Sequence, residues 1–142
     1  MRSMEWDMHW LVMAELVASR SKDPSTKVGS VIVSPRNIRI SDGYNGFPQR
    51  IKDDDRLNDR LTKYRIMIHA ELNALLFARC DLTDHTLYTW PFSPCDRCAP
   101  HVIQSGISRV VAPTSNEPRW EESLKFATNL FLEAGMEVTL YG

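Results

Sequence analysis

The chain has no surplus of positive charge: 17 Lys and Arg stand against 18 Asp and Glu, a formal net charge of −1. Polynucleotide binders neutralise phosphates with clustered cations, so this balance argues, weakly, against a nucleic-acid partner. Cysteine is scarce, at Cys80, Cys95 and Cys98. An odd count with two members at C-x-x-C spacing is no secreted disulfide framework, and it fits a reducing cytoplasm, or the host cytoplasm for a viral source. Long apolar runs are missing as well. Met1 to Trp10 carries Glu5, Asp7 and His9 and reads as neither a signal peptide nor a membrane span. No internal repeat or low-complexity segment breaks the 142 residues, so residues 1–142 read as one domain, long enough for a core without disulfide staples.

What is present is a periodic pattern. Trp6, Trp10, Met13 and Val17 recur at helical spacing and predict a helix over about 4–20 with that stripe in the core. Val28 to Val33 reads as a strand, Ser34 to Asn37 as a turn, and Ile38 to Ser41 as the returning strand of a hairpin. Asp42 to Pro48 is a loop by its Gly and Pro content. The charged stretch from Gln49 to Lys63 reads as a solvated excursion, with a mobile flap or subunit contact near the site as the alternative. A helix is expected from about His69 to Arg79, a strand at Thr86 to Trp90, and a helix from Cys95 to Ser105 stopped by Gly106. A strand at Val110 to Ala112 follows. Trp120, Leu124, Ala127, Phe131 and Ala134 then mark a helix ended by Gly135, before a last strand at Glu137 to Tyr141. The later alternation of strand and helix predicts parallel pairing. The fold class is therefore α/β, a five-stranded mixed sheet flanked by helices.

Chemistry concentrates at His69-Ala70-Glu71 and Pro94-Cys95-Asp96-Arg97-Cys98. A C-x-x-C alone fits a redox motif or a structural zinc equally well. Adding His69 gives three ligands, and catalytic zinc sites keep three protein ligands and leave a position open for water. At a helix start, both thiols should be thiolates, and Pro94 suits the first helical position. Glu71, two residues from a ligand, is left to move protons. It is expected to take a proton from the activated water and pass it on. Cys80 reads as a small buried hydrophobe. His9, His85 and His101 lie at no ligand-like spacing and read as structural.

H-x-E followed by P-C-x-x-C resembles the zinc nucleobase deaminases. Asp23-Pro24-Ser25-Thr26-Lys27-Val28-Gly29, Gly43-Tyr44-Asn45-Gly46-Phe47-Pro48, Lys63-Tyr64, His69-Ala70-Glu71-Leu72-Asn73-Ala74 and Pro94 to Ala99 together resemble the deoxycytidylate deaminases. The Gly-Tyr-Asn-Gly loop is the discriminating piece, because the zinc motif alone is shared with cytidine, guanine, riboflavin-pathway and tRNA adenosine deaminases. The resemblance implies a cytidine-deaminase-like fold with helices on both faces, and conversion of dCMP to dUMP and ammonia for thymidylate synthesis. It implies a catalytic Zn²⁺ on His69, Cys95 and Cys98, and a homo-oligomer, commonly a hexamer. It also implies regulation by dCTP and dTTP, with Mg²⁺ on the triphosphate, at a site between subunits. Asn45 should hydrogen-bond the deoxyribose and the Ala70 N–H the base carbonyl; the plain alternative for Asn45 is a left-handed turn residue between two glycines. The 5′-phosphate is assigned to Lys27 with help from Thr26, with Arg50, Arg65 and Arg97 competing. Trp90-Pro91-Phe92-Ser93 departs from the usual pattern, so Phe92 packs either on the base or on the core. No second, structural zinc is expected. The alternatives are another deaminase of this superfamily, for tRNA adenosine or a small base, and a zinc-bound interaction module without turnover.

Overall fold

The computed structural model describes residues 3–142; Met1 and Arg2, which the single-domain reading includes, lie outside the described residues. The elements follow in the order α1 (Met4–Ala18), β1 (Gly29–Val33), β2 (Arg39–Tyr44), a 3₁₀ turn (Asp55–Asn58), α2 (Arg60–Ile66), α3 (Ala70–Ala78), β3 (Thr86–Trp90), α4 (Ala99–Gln104), β4 (Arg109–Pro113), α5 (Pro118–Glu133) and β5 (Glu137–Tyr141). The strands form one sheet in the order β2-β1-β3-β4-β5. β1 pairs antiparallel with both β2 and β3, while β3–β4 and β4–β5 are parallel. This is the mixed five-stranded sheet that the alternation pattern predicts.

Side chains alternate across each strand, and the two faces build two cores. Val31, Val33, Tyr88 and Val111 meet Trp10, Leu11 and Ala14 of α1. Ile32, Leu87 and Val110 meet Ala74 of α3, Ala99 and Val102 of α4, and Ala127 and Phe131 of α5. One helix thus covers one face and three cover the other. Gly106 and Gly135 stand just past α4 and α5 with φ of 92° and 82°, the left-handed stop that glycine supplies without steric cost.

Several expectations are corrected. Of the α1 stripe, Trp10 is buried and Met13 and Val17 pack half-buried against the core, whereas Trp6 is 46% exposed and stacks on Trp10; the buried face carries Asp7, Trp10, Leu11, Ala14 and Ala18. The stripe is rotated because a carboxylate takes the core position. Asp7 is fully buried and accepts two hydrogen bonds from Arg109 (2.9 and 2.7 Å), one from Tyr88 (2.8 Å) and one from Tyr141 (2.6 Å). Burial pushes this carboxyl up, but the bonds from Arg109, Tyr141 and Tyr88 outweigh it and hold Asp7 below the ordinary carboxylate range. β2 continues through Tyr44, into the stretch expected to be loop. Residues 49–67 are no bare excursion: they hold the 3₁₀ turn and α2, a helix with no buried residue. Cys80 is exposed rather than buried; it lies beyond α3 and before β3, outside both packed faces.

Candidate active site

Two close approaches bring the chemistry together. The first sets α3 on β2. A Cβ at Gly43 would stand 2.6 Å from the Ala74 nitrogen and 2.8 Å from the Ala70 carbonyl oxygen, so only glycine lets the helix lie this close. The Ser41 hydroxyl donates to the Ala74 carbonyl (2.8 Å) and the Asn73 amide to the Tyr44 carbonyl (2.8 Å). The second is a backbone bridge. Gly46 and Ile68 exchange N–H···O bonds of 3.1 and 2.8 Å, which sets the Asn45 loop beside the residue that precedes His69.

His69 caps the N-terminus of α3 and Glu71 is buried in its first turn. Cys95 and Cys98 follow β3. The expected helix does not begin at Cys95: Cys95 to Cys98 form a turn in which the Cys98 and Ala99 N–H groups both donate to the Cys95 carbonyl (3.2 and 3.0 Å), and α4 starts at Ala99. Pro100, rather than Pro94, takes the position where a missing N–H costs nothing.

The His69 Nδ1 lies 3.2 Å from the Cys98 Sγ and 3.4 Å from the Cys95 Sγ, and the three donor atoms fall within 4.8 Å of one another. Nitrogen and sulfur ligands on one tetrahedral zinc stand about 3.6 Å apart, so the set fits that ion. The protonation chemistry agrees. The Cys98 hydrogen bond outweighs burial and, with His69, draws Cys95 down to about 4, while the bond to Cys95 and burial push Cys98 up. The bond to Cys95 likewise raises His69 against the effect of burial. One thiolate therefore holds protons around it where a cation would sit. Burial, reinforced by the Cys95 charge, pushes the Glu71 carboxyl up to about 7 although His69 opposes it. A carboxyl so placed can hold or release a proton near neutral pH.

His69, Glu71 and Cys95 line a cavity of about 500 Å³, and Cys98 is fully buried outside its lining. Ala70, in its wall, is fully buried, and its N–H is one of the first-turn donors that no helix satisfies internally. Asn45 and Thr26 also line it. Asn45 is not left-handed; its amide is bonded to Val28, Thr26 and Asp23. Thr26 reaches Arg119 through its hydroxyl (3.4 Å). Lys27 is exposed and outside the lining, as are Arg50, Arg65 and Arg97. The cations that do line the cavity are Arg60, Lys63 and Arg119. Lys63 pairs with Asp23 (3.1 Å), whereas Arg60 and Arg119 have no carboxylate partner among the described residues. All three act on Tyr64, where the Arg60 hydrogen bond leads in lowering the phenol. Phe92 lines the cavity and packs on Trp120, with ring centroids 5.6 Å apart, and Arg119 lies over the Trp120 ring. Arg60 and Arg119 escaped the sequence reading because they arrive from α2 and α5, far from the motifs; the one trace is Lys63-Tyr64, a single turn from Arg60.

Three N/S donors around one point with a buried carboxylate beside them define a metal site of the hydrolytic class. The sequence profile of the cytidine and deoxycytidylate deaminase zinc-binding region matches residues 4–114. An uncharacterized deaminase of Aliivibrio fischeri, encoded in the luxG 3′ region, is 43% identical over 138 residues, covering 95% of this chain and 92% of that one. Mouse deoxycytidylate deaminase is 37% identical over 140 residues, 94% of this chain and 78% of the mouse protein. The dCMP deaminase of cyanophage S-TIM5, crystallised with dCMP and dUMP, shares the fold: TM-score 0.79, 22% identity, 99% of each chain covered. The chain belongs to the cytidine and deoxycytidylate deaminase family. No helix among the described residues is long and apolar enough to cross a membrane.

Proposed function

We propose that the chain, as one domain over residues 1–142, catalyses hydrolytic deamination of dCMP to dUMP and ammonia, supplying dUMP for thymidylate synthesis. The observation that carries this reading is the cavity's polarity. The same cavity is lined by the buried Glu71 carboxylate with the metal ligands His69 and Cys95, and by exposed Arg60 and Arg119, which have no carboxylate partner among the described residues, with Lys63. A pyrimidine nucleoside monophosphate has the matching polarity, a small base at one end and a dianion at the other. The phosphate contacts are thereby assigned to Arg119, Arg60 and Lys63, in place of Lys27. Guanidinium groups suit phosphate because their N–H fork matches its oxygens.

His69, Cys95 and Cys98 would hold Zn²⁺, which when bound supplies Lewis acidity that brings the pKa of a water from 15.7 to about 7. Glu71 takes the proton of the attacking water and gives it to N3 of the base. The new C–O bond forms at C4. Glu71 then takes the proton of the new C4 hydroxyl and gives it to the amine, the C4–N bond breaks, ammonia leaves and the C4 carbonyl of dUMP forms. The Ala70 N–H orients the base carbonyl, and Asn45 the sugar. Phe92 and Trp120 wall the cavity.

The same reading includes self-association, in the hexamer that the resemblance implies. Exposed Val12 and Leu16 on α1, and Leu76 and Phe77 on α3, support it. It also includes dCTP and dTTP as effectors, with Mg²⁺, between subunits, and a cytoplasmic setting. Ammonia release from dCMP, CMP, deoxycytidine and a tRNA anticodon stem tests the substrate. Turnover of dCMP above the others is expected. Turnover of the anticodon stem would move the reading to tRNA, and turnover of none would favour a zinc-bound interaction module. The dCMP assay repeated with dCTP and with dTTP tests regulation.

A further inference from the structure

Residues 49–67 supply Leu57, Asn58, Arg60, Lys63, Tyr64 and Met67 to the cavity lining, yet the segment is lightly held. It leaves the body at a turn whose Arg50 has φ 76° and rejoins it at the Gly46–Ile68 bridge. Between those points Leu57 alone is buried. Lys63 ties the segment to Asp23 (3.1 Å) and Ser25 (3.4 Å), Asp53 meets the exposed Lys22 (3.5 Å), and Arg56 lies over the Phe47 ring (5.9 Å). A segment with one buried side chain and exposed ionic ties lies at the low end of local stability, and it can open while the core stays folded.

Two cations face each other across its edge. Arg60 rides on the segment, in α2. Arg119 belongs to α5, where it bonds the Thr26 hydroxyl (3.4 Å) and lies over the Trp120 ring. Neither has a carboxylate partner among the described residues. Arg60 donates to the Tyr64 hydroxyl (3.4 Å), and this bond, with the charges of Arg60, Lys63 and Arg119, lowers the phenol. Three cations around one phenol repel one another, and a dianion among them reverses the sign.

We propose that residues 49–67 are a lid closed by an oxyanion bridging Arg60 to Arg119, so that a free oxyanion activates deamination of the unphosphorylated nucleoside. The inference rests on the dCMP reading and deepens it, because the phosphate then supplies turnover as well as affinity. Binding energy from a group remote from the reacting centre raises turnover when it drives a change that the reaction needs. Here that change is closure of Leu57 and Met67 over the cavity, which keeps bulk water from the buried carboxylate. Closure needs the oxyanion but not its covalent link to the sugar.

The test uses the zinc-loaded full chain and splits the substrate in two. kcat/KM for deoxycytidine is measured with and without inorganic phosphite, which carries the charge and shape of the missing phosphate. The same titration is run against dCMP, and amide hydrogen exchange is followed in α2. Phosphite is expected to raise kcat/KM for deoxycytidine at least about tenfold, the lower end of what one charged hydrogen bond contributes. It should also compete with dCMP and slow α2 exchange, while β3 and β4 stay as they were. Arg60→Ala removes the lid's unpaired cation and should lose most of that rise; a full response in the variant overturns the assignment to Arg60. Deoxycytidine turnover that does not rise, whether or not phosphite competes with dCMP, overturns the inference and leaves dCMP deamination standing. A rise with unchanged α2 exchange overturns the lid. Failure to turn over dCMP itself overturns the deamination reading, and the inference with it.

Discussion

Replacing Arg119 with Ala should remove much of what distinguishes a nucleotide from a nucleoside in this cavity. Arg119 is exposed, lies with its guanidinium 5.1 Å from the Trp120 ring centroid and bonds the Thr26 hydroxyl at 3.4 Å. It has no carboxylate partner among the described residues, so its charge is free for a phosphate. A charged hydrogen bond contributes about 1.5–3 kcal/mol, which converts to about 10- to 150-fold in kcat/KM at 1.36 kcal/mol per decade. Arg60 and Lys63 remain in the variant, which sets the expected loss for dCMP at the lower end, about 10- to 30-fold, borne mainly by KM. Deoxycytidine has no phosphate and should lose less than about twofold. The fold should be little affected, within about 0.5 kcal/mol, as for surface changes generally. Steady-state ammonia release from the two substrates, with urea denaturation alongside, reads all three quantities. An equal loss on dCMP and deoxycytidine, or no loss on either, refutes the phosphate assignment.

Two further perturbations probe the frame that carries the site. Asp7→Asn leaves Arg109 buried with Glu137 as its remaining carboxylate and should cost about 3 kcal/mol, the low end for a broken buried pair, read as a fall of about 10 °C in melting temperature. The sign with pH follows from a depressed folded pKa: the Asp7 contribution is complete above the unfolded value of about 3.9 and is lost as pH falls through the lower folded value, so wild type and variant should converge in acid. Gly43→Ala puts a methyl group 2.6 Å from the Ala74 nitrogen. It should cost about 1–3 kcal/mol as overpacking does and, by shifting α3, speed zinc loss to a chelator.

The fold was legible wherever periodicity and polarity agree. Ala127 and Phe131 announce their buried side by helical spacing, Ile32, Leu87 and Val110 fall within the runs read as strands, and all five belong to the core of the three-helix face. α1 was misread where they disagree, since its core face is set by Asp7, whose partners Arg109 and Tyr141 lie more than a hundred residues away. α2 was missed because none of its residues is fully buried; Lys63 ties it to the body through Asp23 and Ser25, which no periodic pattern encodes. In the site, His69, Glu71, Cys95 and Cys98 could be named together because ligand chemistry demands fixed local spacings. A phosphate contact would demand none, since any cation that the fold delivers to the cavity can face one. Lys27 is next to a motif but outside the cavity lining, while Arg60 and Arg119, which line it, come from elements that sequence order keeps apart.

The central claim is that Glu71 moves protons beside a metal held by other residues. Its most direct test is Glu71→Ala, with bound zinc quantified in the same preparation used for ammonia release from dCMP. Glu71 supplies none of the three donor atoms, so the variant should bind zinc as wild type does and lose at least about a hundredfold in turnover, the lower bound for a general acid–base. Wild-type turnover in a zinc-replete Glu71→Ala protein would contradict the account.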